Sequence, residues 1–354
     1  MHYSKLAARE EKFKNTGVAA GRSFKLVKFE LPVKGEELKL HGYTVRPSNG
    51  FEGYYYQQRY VKKKIVTHFT VGHLQGDINS LTNPQRGHVS TAFVLGRDGT
   101  VYQLFQSYFW SYHLGRGAIG GNGTNSKFSV GIEISNYGPL VKRGNNLETV
   151  YSKKEGHDVF CSLDDKDQYI ELDEPYRGHK YYATFTDEQY DSLIVLLRYL
   201  TARYDIPRAF IEESKRYEAT PANANFKGIQ THVNYRKDKV DIGPAFDWDR
   251  VIAGVTAETY SNNPFKKRIN ELKAVVADLE KQLKKAKEDL LFAEQDYEDS
   301  LAVGSRGLGG SNSSSSDEKD VDNNFKRRAL DAGEDGYFSE EMDKSLFYLE
   351  DGDE

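Results

Sequence analysis

The sequence predicts an α/β protein: a central mixed β-sheet flanked by helices over residues 59–256, followed by a C-terminal coiled-coil helix and a disordered acidic tail. Three observations carry this expectation. Apolar runs of strand length, "KKIVTHFTVG", "VSTAFVLGRDGTVYQLF" and "FSVGIEISNYG", are separated by turn-forming residues. The segment "TFTDEQYDSLIVLLRYLTARYDIP" carries apolar residues at helical spacing. Beyond Pro264 the apolar positions fall into heptads flanked by Lys and Glu.

Taken in order, residues 1–58 form a charged N-terminal extension. Its alternating stretches "SFKLVKFEL" and "EELKLHGYTV" read as short strands, and the aromatic patch "GYYYQQRY" closes it. The first body strand is "KKIVTHFTVG". In "VSTAFVLGRDGTVYQLF" the triplet Arg97-Asp98-Gly99 is a turn between two apolar strands, which makes a hairpin. Residues 140–183 are polar and aromatic without clear period and read as an insertion. The helix after it starts with a capping box, Thr186 with Gln189, and Pro207 ends it.

From Ile269 the seam runs through Leu272, Val276, Leu279, Leu283, Ala286, Leu290, Ala293 and Tyr297, in alternating steps of three and four. So narrow a stripe in a Lys/Glu-rich background favours a coiled coil over residues 264–303 rather than a helix lying on the body. Self-association, or docking onto an assembly partner, is therefore expected through residues 266–301. A Gly/Ser linker and acidic tail occupy 304–354.

Charge is unevenly placed. The chain is net −4, yet from Ser311 onward there are 14 acidic and 5 basic residues, so the preceding part is net +5. So small a balance implies no nucleic-acid partner. A single cysteine, Cys161, excludes an intrachain disulfide framework. No apolar run reaches the ~18 residues of an integral membrane segment, and the charged N-terminus does not read as a signal peptide. The expectation is synthesis in the cytoplasm, with the target reached by some other route.

The chemistry concentrates in "QTHVNYRKDKVDIGPAFDW", residues 230–248. A zinc hydrolase needs three protein ligands and one open position. His232 and Asp241 qualify as two. His68, at the polar end of the first body strand, is the best third among the remaining histidines.

At this point the chain resembles a family. "KIVTHFT", "VSTAFVLGRDGTVYQLF", "YHLGRG", "SVGIEISN", the capped helix and "THV…KVDIGPAFDW" occur in the order found in type 2 zinc-dependent N-acetylmuramoyl-L-alanine amidases, the group that includes phage lysozyme-like amidases and peptidoglycan recognition proteins. The resemblance covers residues 60–254 and neither flank. It implies one Zn2+ ion held by His68, His232 and Asp241, with Lys239 stabilising the oxyanion. It also implies that Glu133 moves the proton from the attacking water to the leaving amine, and that His113 contacts substrate near the cleft. One position departs from the pattern: where some members carry a tyrosine or histidine, Thr91 and Ala92 stand here.

The implied function is hydrolysis of the amide between N-acetylmuramic acid and L-alanine in peptidoglycan, by a phage lysin or a virion-carried enzyme acting on the cell wall. An injected antibacterial effector and a cytosolic recycling enzyme fit less well. Two other classes compete: a peptidoglycan-binding module without turnover, and a structural virion or secretion component carrying the fold. Retention of the third ligand, Asp241, favours the enzyme.

Overall fold

The computed structural model describes residues 2–50, 52–260 and 264–306. Among these, residues up to Lys267 form one compact unit and those from Arg268 belong to a second. The Gly/Ser linker and acidic tail lie outside the described residues from 307 onward.

The chain opens with helix α1 (His2–Thr16) and strands β1 (Val18–Ala19), β2 (Arg22–Pro32) and β3 (Lys39–Pro47). Next come β4 (Lys64–Phe69), α2 (Leu74–Leu81), β5 (Phe93–Leu95), β6 (Val101–Gln103), α3 (Asn122–Lys127) and β7 (Ser129–Ile134). Five strands follow: β8 (Pro139–Arg143), β9 (Asn146–Thr149), β10 (Val159–Ser162), β11 (Tyr169–Tyr176) and β12 (His179–Ala183). The unit ends with α4 (Asp187–Tyr204), α5 (Pro221–Asn225), β13 (Ile229–Thr231) and α6 (Trp248–Thr256).

The main sheet has eight strands in the order β1-β2-β3-β6-β5-β7-β4-β13. It is mixed: β5, β7, β4 and β13 run parallel to their neighbours in that series, while β5–β6 is the antiparallel hairpin expected around Arg97-Asp98-Gly99. The core gathers Ile65, Phe93, Leu95, Ile132 and Ile134 from the sheet, Leu193, Ile194, Leu197 and Leu200 from α4, and Val251 and Val255 from α6. Each such side chain contributes roughly 1.5–3 kcal/mol relative to leaving it in water. The Thr186–Gln189 capping box is formed at both of its bonds.

Two regions differ from the sequence expectation. The N-terminal extension is part of the same compact unit: β3 pairs parallel with β6, so three strands are added to the body's own sheet. It also begins with a helix. The helix α1 buries Leu6 and Phe13, one heptad apart, with Glu10 between them. Glu10 caps the hairpin turn by accepting from the Arg97 backbone N–H at 2.8 Å. A buried face that includes a carboxylate has no apolar period to read. The insertion, in turn, is a second antiparallel sheet in the order β10-β9-β8-β12-β11. Its cluster of Leu140, Leu147, Phe160, Cys161 and Tyr169 takes in Leu6 of α1.

A buried ion-pair network ties the extension to the end of the unit. Arg198 on α4, 0% exposed, bonds Glu36 at 2.6 Å and the carbonyls of Gly254 and Ala257 at 2.9 Å each. Helix α7 (Pro264–Arg306) supplies the second unit. No helix among the described residues is long and apolar enough to cross a membrane.

Candidate active site

Strands β4, β7 and β13 are parallel, so their carboxyl ends open on one edge of the sheet, where α/β folds place their ligands. The register sets His68 on β4 beside Glu133 on β7. On the other side, β13 ends at Thr231, and a tight 3-10 turn capped by Thr231 and Asn234 carries His232. The backbone N–H of Val233 donates to the Asp241 carbonyl at 3.1 Å, which brings the following loop back onto this turn. The aromatic pair beyond the Gly243-Pro244 turn is buried: Phe246 packs on Trp248 at 4.8 Å and on Tyr190 at 4.9 Å.

These elements bring three donor atoms together. His68 Nδ1 lies 3.1 Å from His232 Nδ1 and 3.1 Å from Asp241 Oδ2, and the last two are 2.9 Å apart. Tetrahedral zinc ligands stand about 3.3 Å from one another at ordinary Zn–N and Zn–O lengths. All three residues are buried.

The protons of both imidazoles are directed away from this point. His232 Nε2 faces the Leu114 carbonyl at 2.9 Å, an acceptor only, so Nε2 carries the proton and Nδ1 the lone pair. For His68 the proton is placed by a relay. Ser129 Oγ donates to the Asn125 carbonyl at 2.9 Å and so accepts from His113 Nε2 at 2.8 Å. The bare His113 Nδ1 then accepts from His68 Nε2 at 3.0 Å, and His68 Nδ1 is left unprotonated. Burial holds the His68 pKa down to about 4 against the pull of Asp241, and burial likewise keeps His113 well below the usual range. Both rings are neutral near pH 7. Two imidazole lone pairs and a carboxylate therefore converge with no proton assigned between them. Such a donor set fits a divalent cation of the zinc type.

His113 thus sits behind His68, with both ring nitrogens engaged inside the protein, rather than facing an open cleft. Gly131 makes room for it: a Cβ there would stand 3.1 Å from His113 Cγ and 3.0 Å from the Thr91 methyl. Thr91 and Ala92, the departing pair, are both buried.

Glu133 keeps one carboxylate oxygen, Oε2, sealed from solvent and without a hydrogen-bond partner. Burial, then the charges of Asp241 and Asp77, push its pKa well above the usual carboxylate range, and Lys239 pulls the other way. Lys239 is half-buried and its charge reaches both Glu133 and His68.

Sequence reasoning missed three contributors. Ser129 looked like an ordinary strand residue. Asp77 on α2 accepts from Ser135 Oγ at 2.7 Å, and burial raises its pKa to about 8. The β11–β12 turn of the insertion reaches the ligand loop: a Cβ on Gly243 would lie 2.6 Å from the Tyr176 ring, so only glycine fits beneath it. Arg177 fastens this turn by donating to the carbonyls of Arg236 at 3.3 Å and Tyr217 at 3.2 Å. The run of tyrosines in the insertion was the available signal, although nothing in the sequence says what they touch. Of the other histidines, His73 caps α2 and His88 stacks on Tyr56.

A sequence-family model described as N-acetylmuramoyl-L-alanine amidase matches residues 57–244. A comparison with curated proteins finds no match. Among solved structures, an endolysin N-acetylmuramoyl-L-alanine amidase, LysCS, from Clostridium intestinale URNW is similar at 17% identity and TM-score 0.32, over 58% of this chain and 91% of that one. The N-acetylmuramyl-L-alanine amidase AmiD from E. coli, in complex with an anhydro-muropeptide substrate, is similar at 20% identity and TM-score 0.34, over 63% and 64%. PlyL is similar at 16% identity and TM-score 0.33, over 60% and 94%.

Proposed function

The chain belongs to the N-acetylmuramoyl-L-alanine amidase family, and from that premise we propose that it is a zinc hydrolase of bacterial peptidoglycan, with His68, His232 and Asp241 as the metal ligands. The observation that carries the zinc reading is the convergence of three unprotonated acceptors, 2.9–3.1 Å apart, whose imidazole protons are all turned outward. When bound, the ion polarises the scissile carbonyl and brings the pKa of a water toward ~7.

The remaining roles fall to the chain's own side chains. Glu133 accepts the proton of the attacking water and returns it to the amide nitrogen as the C–N bond breaks, leaving a carboxylate on the muramyl lactyl group and a free L-alanine amine. A carboxyl whose pKa burial raises above the usual carboxylate range holds a proton more readily, as a group that must take a proton and then give it up requires. Lys239 supplies positive charge where the oxyanion develops, in a site whose burial strengthens that interaction. His113 holds His68 in the metal-binding tautomer, a positioning role in place of substrate contact.

The proposal extends to context: a phage-encoded enzyme of cell-wall lysis or penetration, made in the host cytoplasm and self-associating through residues 266–301. What supports it is the chain on either side of the family-matched residues 57–244, an N-terminal extension before them and a long polar helix after them.

The test is a digest of purified sacculi, with the products identified by mass spectrometry, alongside His68→Ala and Glu133→Ala. Stem peptides beginning with L-alanine, glycan chains intact and both variants inactive are the expected result. Activity that survives Glu133→Ala removes Glu133 as the proton carrier. Zinc binding and sedimentation with sacculi, but no release of peptide, would replace the hydrolase with a binding module.

A further inference from the structure

Helix α7 exposes every side chain described between Asn270 and Glu294. Leu272, Val276, Leu279, Leu283 and Leu290 are 47–58% exposed. In heptad terms Val276, Leu283 and Leu290 are a positions, and Leu272, Leu279, Ala286 and Ala293 are d positions. The flanking e positions are Lys273, Glu280, Lys287 and Glu294, and the g positions include Arg268, Val275, Gln282 and Asp289. A 3.5-residue apolar repeat is covered by another helix with the same repeat.

The flanking charges decide which way that helix runs. In a parallel, in-register pair each g residue meets the e residue five positions on in its partner. That sets Arg268 against the partner's Lys273 and Asp289 against the partner's Glu294. Val275 and Gln282 offer no charge to the partner's Glu280 and Lys287. The parallel arrangement gives like-charge contacts and no attractive one.

In an antiparallel pair e faces e and a faces d. One register stands out, with Leu283 opposite the partner's Ala286. It also sets Leu279 opposite the partner's Leu290 and Val276 opposite the partner's Ala293, so two of the three layers match a larger side chain with alanine. The same register sets Lys273 against the partner's Glu294 and Glu280 against the partner's Lys287. Twofold symmetry repeats each contact, so every one of these e–e pairs is attractive. A slip of one heptad places Glu280 against its own copy and Lys273 against the partner's Lys287, so register is selected by charge. Each rim pair is individually modest, but all change sign together.

We propose that α7 is a homodimerisation element that pairs with a second copy of this chain as an antiparallel two-stranded coiled coil, in the register that opposes Leu283 to the partner's Ala286. At 1.5 Å rise per residue this holds the two helices' residue-268 ends about 50 Å apart. Two catalytic units on one rod would engage a polymeric substrate at two points. The inference sharpens the self-association reading above and does not depend on the hydrolytic one.

The experiment uses the full chain. Sedimentation equilibrium is expected to give twice the monomer mass. Lys273→Glu/Lys287→Glu makes all four e positions acidic, and Glu280→Lys/Glu294→Lys makes them all basic. Each variant alone is expected to be a monomer, and their equimolar mixture a dimer. Leu279→Cys/Leu290→Cys is expected to form a disulfide-linked dimer under mild oxidation, whereas neither single variant cross-links. A monomeric wild type, charge variants that each still dimerise alone, or a Leu279→Cys chain that links to itself would overturn the proposal. Sacculus digestion is measured on the same samples: an active monomer sinks only this inference, and an inactive dimer sinks only the hydrolytic reading.

Discussion

Replacing His113 by phenylalanine keeps a ring in its buried slot above Gly131 and deletes the acceptor for the His68 Nε2 proton. The chain then has two responses. His68 can keep its tautomer and leave a buried N–H unpaired, at a cost of about 1–3 kcal/mol. Alternatively, it can move the proton to Nδ1, where it blocks the nitrogen that faces His232 and Asp241. Both penalise the metal-bound form. Loss of such an outer partner lowers metal affinity by about 10–100-fold, or about 1.4–2.7 kcal/mol. The assay is competition for zinc against a chromogenic chelator at fixed pH, with circular dichroism to establish that the variant is folded. Ser129→Ala keeps the His113 ring but frees it to take the other tautomer, so a smaller loss of roughly 2–10-fold is expected. A folded His113→Phe chain that binds zinc as tightly as wild type would refute the relay.

Other perturbations separate the remaining roles. Glu133→Gln is expected to lower kcat for muropeptide hydrolysis by about 10²–10⁴-fold while zinc affinity in the same chelator assay stays close to wild type. Lys239→Met should cost about 10²–10³ in kcat, and an equal loss of zinc binding would point to a structural role instead. Glu36→Ala strips the buried Arg198 guanidinium of its counter-ion, and thermal or urea unfolding should show a loss of about 3 kcal/mol. Burial lowers the pKa of Lys62 to about 7 from an ordinary 10.5. Its folded pKa is therefore depressed, so its contribution to stability is full above the unfolded value and is lost as pH falls through about 7. Lys62→Met should remove that fall, on the order of 4 kcal/mol at most, in urea midpoints measured between pH 10 and 6. A wild type whose stability does not drop relative to Lys62→Met over that range would contradict a buried, neutral lysine.

Much of the catalytic body was legible because its signals are local. The Thr186–Gln189 box, the Arg97-Asp98-Gly99 turn and the apolar runs of β4 and β7 each act within a few residues, where propensity and period are readable. The N-terminal helix was not legible, because its buried face mixes Leu6 and Phe13 with Glu10, and one oxygen of that carboxylate accepts from a turn 87 residues away. The insertion hid a five-stranded sheet for a related reason. Its strands are short, and the burial of β11 is nearly all on the exposed side, so alternation gives little contrast.

By itself the sequence determined which side chains were candidates to carry the chemistry: the order of its motifs singled out His68, Glu133, His232, Lys239 and Asp241. Only the tertiary structure decided how those side chains are presented. It placed His113, an expected substrate contact, behind His68 with its two ring nitrogens within hydrogen-bond distance of His68 and Ser129. It also laid Tyr176 of the insertion over Gly243, beside the Asp241 loop. The physical reason is range. Periodicity and capping are contacts between near neighbours in the chain, whereas a tautomer is set by whichever donor or acceptor the fold happens to bring within 3 Å, and that partner can lie anywhere in the sequence.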